Sequence, residues 1–344
     1  MTANILFVCG SLNQTTMMHK IAQSLPEFNS FFSPFYAEGV LAKMVSTGVL
    51  DHTILAGSHH AATVNYLAKQ KLPVDDGGKK INYDLTLTGT DLIVQSNLRK
   101  NRLILVQEGI TEPEDLAYHA VKALGLPRFL ANTAATGLSD AYDRFFVASQ
   151  GYKDLFIRKG VRPEKVVVTG IPNFDNASDA NQNDFPFKNY VLVATSSIRE
   201  TGKFDNRMAF LRKVRHLAAG RTILFRLHPN ENVYRAEREI RSVFPEAIIF
   251  KEGNTNHMVA NCSILITQVS SVVFTGIALG KEVYSNFDLD SLHQLAPIQN
   301  GGTSAARIAD ECRAVMQLSL HELRRSQPVR RQTLMPNWLP SGFE

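Results

Sequence analysis

Several short polar motifs in this chain carry residue types that bind anions or move protons. Gln107-Glu108-Gly109-Ile110-Thr111 follows the very apolar run Leu103–Val106. A carboxylate at the mouth of a buried strand loses hydration, which raises its pKa toward the range of a general base. Gly109 beside it would let a ligand approach closely. The plainer alternative is a carboxylate that caps the next turn. Arg226-Leu227-His228-Pro229-Asn230-Glu231 follows Thr222–Phe225. Pro229 pushes His228 into an extended conformation. There the imidazole can donate to a phosphate while Asn230 orients the loop, or it is simply structural. Thr267-Gln268-Val269-Ser270-Ser271 leads into a helix that ends at Gly280-Lys281. Two serines at a helix start supply hydroxyls and free N–H groups suited to a phosphate; otherwise Ser270 is only an N-cap.

Three further stretches are weaker. Cys9-Gly10-Ser11-Leu12-Asn13 is a small-residue loop that opens a helix and could offer N–H groups to an anion or a sugar. It is neither GxGxxG nor a P-loop, and a plain turn between strand and helix explains it as well. Thr195-Ser196-Ser197 is another polar strand end. His59-His60 suits catalysis or a sugar contact, but no nearby carboxylates make it a metal site, and a surface or helix-start role competes. Thr169–Asn173 reads as a hinge, a ligand contact or both.

The elements that must position these motifs follow from periodicity. Strands are predicted at Asn4–Cys9, His52–Ala56, Asp91–Gln95, Arg102–Gln107, Arg144–Ala148, Lys165–Thr169, Tyr190–Ala194, Thr222–Arg226, Ala247–Phe250, Ser263–Thr267 and Glu282–Ser285. Helical patterns lie between them, near Gln14–Leu25 and at Pro113–Leu124, Gln150–Lys159, Asn206–Ala219, Asn232–Val243, Ser271–Leu279 and Ala305–Leu318. Such alternation indicates parallel sheets covered on both faces. Pro73–Thr90 reads as an irregular excursion. Pro172–Lys188 is polar, aperiodic and rich in Asn and Asp, so it reads as a linker. The expected fold is α/β: two Rossmann-like αβα domains facing across a cleft. Their expected bounds are residues 1–171 and 189–318, joined by 172–188, with 319–344 packing back on the first domain. The motifs then fall at strand C-terminal ends, where such sheets bind ligands.

Composition bounds the rest. The three cysteines, Cys9, Cys262 and Cys312, are far apart, which excludes a disulfide scaffold and a cysteine zinc site and fits a reducing compartment. No apolar run reaches the ~18–20 residues of a membrane span, and the N-terminus lacks a basic leader, so a cytoplasmic location is expected. A net charge of +5 suits an anionic ligand or surface. Nucleic acid is not expected as a partner, because basic and aromatic residues do not interleave in any recognisable motif.

The ordered set of VxxTGxPxxD at Val166–Asp175, His228-Pro229-Asn230, and Ser270-Ser271 with Gly280-Lys281 resembles GT-B enzymes over about residues 1–318. It is most similar to UDP-N-acetylglucosamine 2-epimerase-like proteins. The HP and SS pair is also similar to CDP-glycerol glycerophosphotransferases, polysialyltransferases and bacterial Kdo transferases, which use cytidine nucleotides. The resemblance implies that Glu108 faces the sugar, that His228 is the family's HPN histidine, and that Ser270-Ser271 replaces a Ser-Gly-Gly phosphate loop. The epimerases carry a catalytic aspartate after the strand preceding the glutamate strand; Leu92–Asn97, taken as that strand, has no carboxylate. That departure favours transfer over epimerisation.

The resulting expectation is a metal- and cofactor-independent glycosyltransferase of bacterial surface-polysaccharide assembly, with a CMP- or CDP-linked donor ahead of a UDP-linked one. Thr195, Ser196, Arg226, His228, Pro229, Asn230, Ser270 and Ser271 would hold the nucleotide. Gly10, Ser11, His59, His60 and Gly109 would meet the sugar, glycan or lipid-linked acceptor, and Glu108 would deprotonate its hydroxyl, with His228 aiding departure of the nucleotide. The rivals are a UDP-sugar 2-epimerase and a non-catalytic nucleotide- or nucleic-acid-binding protein. Arg324, Arg325, Arg330, Arg331 and Trp338 suggest peripheral contact with the inner face of an anionic membrane, against a docked or solvated tail.

Overall fold

Short runs of branched and aromatic residues, buried on both faces, form the strands. The structure is a computed structural model and describes residues 2–34, 37–39, 43, 45, 47, 56–201 and 204–325. The first sheet holds β1 (Asn4–Val8), β2 (Asn29–Ser33), β3 (Leu85–Thr88), β4 (Arg102–Val106), β5 (Arg144–Val147) and β6 (Val166–Val168). Its order is β2-β1-β3-β4-β5-β6, parallel throughout. The second holds β7 (Val191–Ala194), β8 (Ile223–Arg226), β9 (Ile248–Phe250), β10 (Ile264–Thr267) and β11 (Glu282–Tyr284), in the parallel order β11-β10-β7-β8-β9. The order in which strands are added reverses between β1 and β3 in one sheet and between β7 and β10 in the other, and crevices open at such switch points. The α/β expectation holds.

The helices are α1 (Leu12–Gln23), α2 (Gly57–Lys69), α3 (Leu116–Leu124), α4 (Gln150–Lys159), α5 (Arg207–Ala218), α6 (Val233–Val243), α7 (Thr255–Asn261), α8 (Val272–Ala278), α9 (Leu289–Leu295), α10 (Ser304–Gln317) and α11 (Leu320–Arg325). Their ends follow local rules. Ser11, Asp115 and Ser149 cap α1, α3 and α4 through their side chains, and Gly125 and Gly160 close α3 and α4 in the left-handed region.

Three expectations need correction. Asp91–Gln95 is not a strand: the buried Asp91 carboxylate accepts the Gly137 and Ser139 N–H groups, both at 2.9 Å, and pins a loop. The strand beside β4 is β3, inside the stretch read as irregular; its leucines and threonines are all buried. The edge strand β2 went unread because Asn29, Ser30 and Ser33 dilute its apolar pattern. Of the strand expected at His52–Ala56, only Ala56 is among the described residues.

The return to the first domain also begins earlier than Leu318. Ala305, Ile308, Ala309, Cys312 and Val315 form one stripe of α10, buried against Ile5, Phe7, Met17, Ile21 and Leu85. Arg313 reinforces this with Glu27 at 2.6 Å. The VxxTGxPxxD segment anchors the crossing. Gly170 has φ +77, and a Cβ there would lie 2.3 Å from Ser304 Oγ. Asp175 accepts the Ser304 N–H at 2.8 Å on its carboxylate, and its carbonyl accepts N–H groups of Asn300 and Gly301. Within the expected linker, Phe185 and Phe187 pack on Phe250 of the second domain.

Arg324 does not face a membrane freely. Its guanidinium donates to Asp143 at 2.9 Å and to the Asn101 carbonyl. The Arg325 side chain, Arg330, Arg331 and Trp338 lie outside the described residues. Among the described residues no helix is long and apolar enough to cross a membrane.

Candidate functional site

A cavity of about 370 Å³ opens over the C-terminal ends of β7, β8 and β10, at the switch point of the second sheet. Thr195, Arg226, His228, Pro229, Ser270 and Ser271 line it, and Asn13 and Asn173 close it from the first domain. Six of the eight residues expected to hold a nucleotide therefore line one space.

A buried polar network fixes these loops. Glu231, four per cent exposed, accepts from the Thr195 hydroxyl and from Arg207. Thr195 Oγ1 in turn accepts the His228 N–H at 3.1 Å. Arg207 also donates to Asp205 at 3.2 Å, and Asp205 accepts from Gln268 Nε2 at 2.8 Å, which ties the β8 loop to the β10 loop. The Asn230 N–H donates to His228 Nδ1 at 3.2 Å. With Nδ1 accepting, the neutral ring carries its proton on Nε2, and the residue lines the cavity.

Not every expected contact reaches the cavity. The Ser196 hydroxyl is buried and bonded to the Val269 backbone, donating to its carbonyl at 3.0 Å and accepting its N–H at 3.1 Å. It braces the β7 and β10 loops and is not presented to a ligand. Asn230 is exposed and acts on His228 instead of lining the space. Arg226 does line it, but one guanidinium nitrogen donates to the Leu227 and Lys251 carbonyls. Burial pushes its pKa below the usual arginine value, opposed by the charge of Glu252. The Ser270 hydroxyl accepts the Val272 N–H at 3.4 Å, a weak cap on α8.

Across the cleft, Glu108 stands at the end of β4. Its Oε1 accepts from Ser11 Oγ at 2.9 Å and Asn13 Nδ2 at 3.1 Å, and its Oε2 accepts from Gln14 Nε2 at 2.6 Å. It is half-buried and held by donors, so the expected desolvated carboxylate is not what the fold builds. It lines a cavity of about 220 Å³ with Gln14, Thr90, Gly109 and Thr133.

The Gly10–Ser11 loop turns its donors inward. The Gly10 N–H goes to Gln14 Oε1 at 2.9 Å, and Ser11 caps α1 while bonding Glu108. These two residues orient Glu108 and line neither cavity. His60 sits on the first turn of α2 and lines neither cavity; the side chain of His59 is outside the described residues. Burial pushes the Cys9 thiol up to about 12, which removes it as a nucleophile in this loop.

The two cavities adjoin. Asn13 and Ser271 line both. A Cβ on Gly109 would lie 3.5 Å from the Phe174 ring and 3.9 Å from Ser271 Cβ, so the glycine keeps the passage narrow but open. Asn173 Nδ2 donates to Asn13 Oδ1 at 2.8 Å beside this passage. Because β3 is the strand before β4, the position to inspect for a second carboxylate is Gly89-Thr90-Asp91 and not Leu92–Asn97. Thr90 lines the Glu108 cavity, whereas the Asp91 carboxylate is turned to the Gly137 and Ser139 N–H groups. Among the described residues no group of three or more His, Cys, Asp or Glu is placed to hold a metal ion.

Gln14, Asp205 and Arg207 were not singled out from sequence. Asn13 and Asn173 stood inside quoted stretches, the latter read as a hinge or ligand contact, and Gln14 follows Asn13 directly. Arg207 begins a helix whose pattern reads as a basic surface, and nothing local marks it as buried.

No family model matches the sequence, and no curated protein matches it. Solved structures do. The UDP-GlcNAc 2-epimerase from Neisseria meningitidis bound to UDP-GlcNAc superposes with a TM-score of 0.55 at 12% identity, covering 90% of this chain and 100% of that one. The Methanocaldococcus jannaschii UDP-GlcNAc 2-epimerase gives 0.54 at 11% identity, over 91% and 100%. The wall teichoic acid polymerase TagF gives 0.51 at 13% identity, over 92% of this chain and 89% of that one. The chain has the GT-B fold. At these identities the likeness concerns architecture, and it agrees with the motif resemblance at both the epimerase and the CDP-glycerol ends.

Proposed function

We propose that this GT-B chain is a nucleotide-sugar-dependent transferase of bacterial cell-surface biosynthesis. The observation that carries the reading is the adjacency of the two cavities. His228, Ser270 and Ser271 surround one, Glu108 surrounds the other, and Ser271 and Asn13 are common to both. The first suits a nucleotide phosphate: an imidazole and hydroxyls lining one space can stabilise the charge that develops as a phosphate leaves. Its volume falls within the ~300–1,000 Å³ of small-molecule clefts.

In the reaction, an acceptor hydroxyl oxygen bonds to the transferred carbon while the bond from that carbon to the phosphate oxygen breaks. The electron pair leaves with the nucleotide, next to His228 and the serines. The hydroxyl proton passes to Glu108 Oε2, which takes one donor, from Gln14, where Oε1 takes two. Ser11, Asn13 and Gln14 fix the carboxylate, and Thr195, Glu231 and Arg207 fix the histidine loop. Neither task needs a cofactor.

Thr90 at the end of β3 favours this reading over epimerisation, because no second carboxylate from that strand enters the cavity. One neighbour is an epimerase bound to UDP-GlcNAc and another is a wall teichoic acid polymerase, which supports a nucleotide-linked donor. The Ser-Ser motif, shared with cytidine-nucleotide enzymes, supports CMP or CDP over UDP. The reading includes work on the cytoplasmic side, on a glycan or lipid-linked acceptor. Thermal shift with CMP, CDP, UDP and GDP tests it. A ligand that binds the native state raises Tm by mass action, and the largest rise is expected with CMP or CDP. A larger rise with UDP or GDP removes the cytidine assignment, and no rise with any nucleotide removes the transferase.

A further inference from the structure

A third and larger cavity, about 650 Å³, lies between the domains beyond Glu108. One wall is α4 of the first domain and the other is α9 of the second. The walls are held together: the Ser149 hydroxyl donates to the Leu295 carbonyl at 3.1 Å, and a Cβ on Gly151 would fall 2.0 Å from the Gln294 carbonyl oxygen. Ile110 and Thr111 line both this cavity and the Glu108 cavity. The three spaces thus run in sequence, from His228 through Glu108 to α4 and α9.

Size decides what the last one does. The Glu108 cavity, about 220 Å³, is below the ~300 Å³ at which small-molecule clefts begin. It has room for the reacting unit of an acceptor and little more. Any longer acceptor, with its hydroxyl at Glu108 and the nucleotide on the other side, has to extend past Ile110 and Thr111 into the larger space.

Charge and polarity narrow the chemistry. Ile110, Leu155, Phe287, Leu292 and Leu295 form an apolar floor. The rim carries four carboxylates, Glu112, Glu114, Asp154 and Asp288, against the two cations Arg158 and Lys159. Lys159 is already engaged, donating to the Ala134 carbonyl and standing 3.9 Å from Glu114. A chain of phosphates would meet net negative charge. Sugar hydroxyls can donate to carboxylates while the C–H faces of the rings rest on the floor. We infer that this cavity is the acceptor-chain subsite and that it takes an uncharged oligosaccharide, not a polyanion. The inference rests on the transferase reading above and specifies its acceptor.

A glycan array carrying neutral oligosaccharides and polyol-phosphate chains, probed with the full-length protein, tests it. Ser291→Trp on α9 and Asp154→Trp on α4 each add bulk from an exposed position on one wall. Neutral oligosaccharides are expected to bind, and each variant to lose about tenfold or more in affinity with its nucleotide thermal shift unchanged. Preference for polyol-phosphate chains, binding equal in both variants, or no saccharide bound by a protein that responds to nucleotide would overturn the inference. Neutral glycan binding without any nucleotide response would remove the transferase reading and leave the subsite standing.

Discussion

Arg207 is the place to test whether the histidine loop is held from beneath. Its side chain is three per cent exposed, and it faces two buried carboxylates, Glu231 with none of its side chain exposed and Asp205 with two per cent. Arg207→Met removes the cation and keeps most of the volume. Breaking a buried pair by removing one partner costs ~3–5 kcal/mol, because the other charge stays buried without compensation. Asp205 keeps Arg199 at 3.8 Å and the Gln268 amide at 2.8 Å, so Glu231 is the carboxylate that loses its cation. Scaling the unfolding entropy of ~2.1 cal/mol/K per residue to 344 residues gives ~1.4 °C per kcal/mol and a fall in Tm of about 4–7 °C. The Thr195–Glu231 bond and the His228 N–H contact sit on the same carboxylate network, so nucleotide affinity should fall with stability. Adding Glu231→Gln removes the stranded charge and should recover part of the Tm. The measurements are differential scanning fluorimetry and nucleotide titration on the two variants. A folded Arg207→Met protein with Tm within about 1 °C of wild type, under ~1 kcal/mol, and unchanged affinity would refute the account.

Three other outcomes follow from the same geometry. His228→Ala should weaken nucleotide binding by ~1.5–3 kcal/mol in calorimetric titration, the worth of a hydrogen bond to a charged group, with little effect on Tm. Glu108→Gln keeps the two donors on Oε1 but sets an amide against Gln14; turnover of the sugar-linked form of the preferred nucleotide should drop ~10²–10⁴-fold while nucleotide affinity holds, and near-full turnover would exclude Glu108 as the base. The side-chain hydrogen bond from Arg199 holds the Glu239 pKa below the usual carboxylate value. A depressed folded-state pKa stabilises above the unfolded value, ~4.3, and that stability is lost as pH falls through the folded value. The Tm gap between wild type and Glu239→Gln should therefore be full near neutrality and close in acid; a gap that widens in acid would contradict the pairing.

What could be read in advance divides along physical lines. Helix α4 was legible to the residue because its signals are local: Ser149 caps one end and Gly160 closes the other at φ 109. The polar strand ends around His228 and Ser270 were legible because open parallel sheets bind at those ends whatever the details. Partners across the chain were not. Ser196 reads as a ligand contact until its bond to Val269, more than seventy residues away, is known. Gly10 and Ser11 likewise read as an anion loop, and only the fold shows that Gln14 and Glu108 take their bonds. The apolar stripe of α10 was visible by its spacing, but spacing names a buried face without naming what buries it. The missing aspartate was sought on Leu92–Asn97 because Leu92, Ile93 and Val94 outscore the Leu-Thr alternation of β3 in strand propensity.

The α10 crossing has a consequence for how this chain is made. The groove it fills, between Ile5, Phe7 and Leu85, belongs to the first sheet, yet α10 follows every strand of the second. On a ribosome adding ~5–20 residues per second, β1 to β6 are complete several seconds before Ile308 and Cys312 emerge. During that interval α1 and α2 cover part of that face of the first sheet, and the strip that α10 takes stays open. The first half therefore completes its core only after the second has been made, and a nascent chain stalled inside the second sheet should expose that strip and be the form most prone to aggregate or to recruit a chaperone.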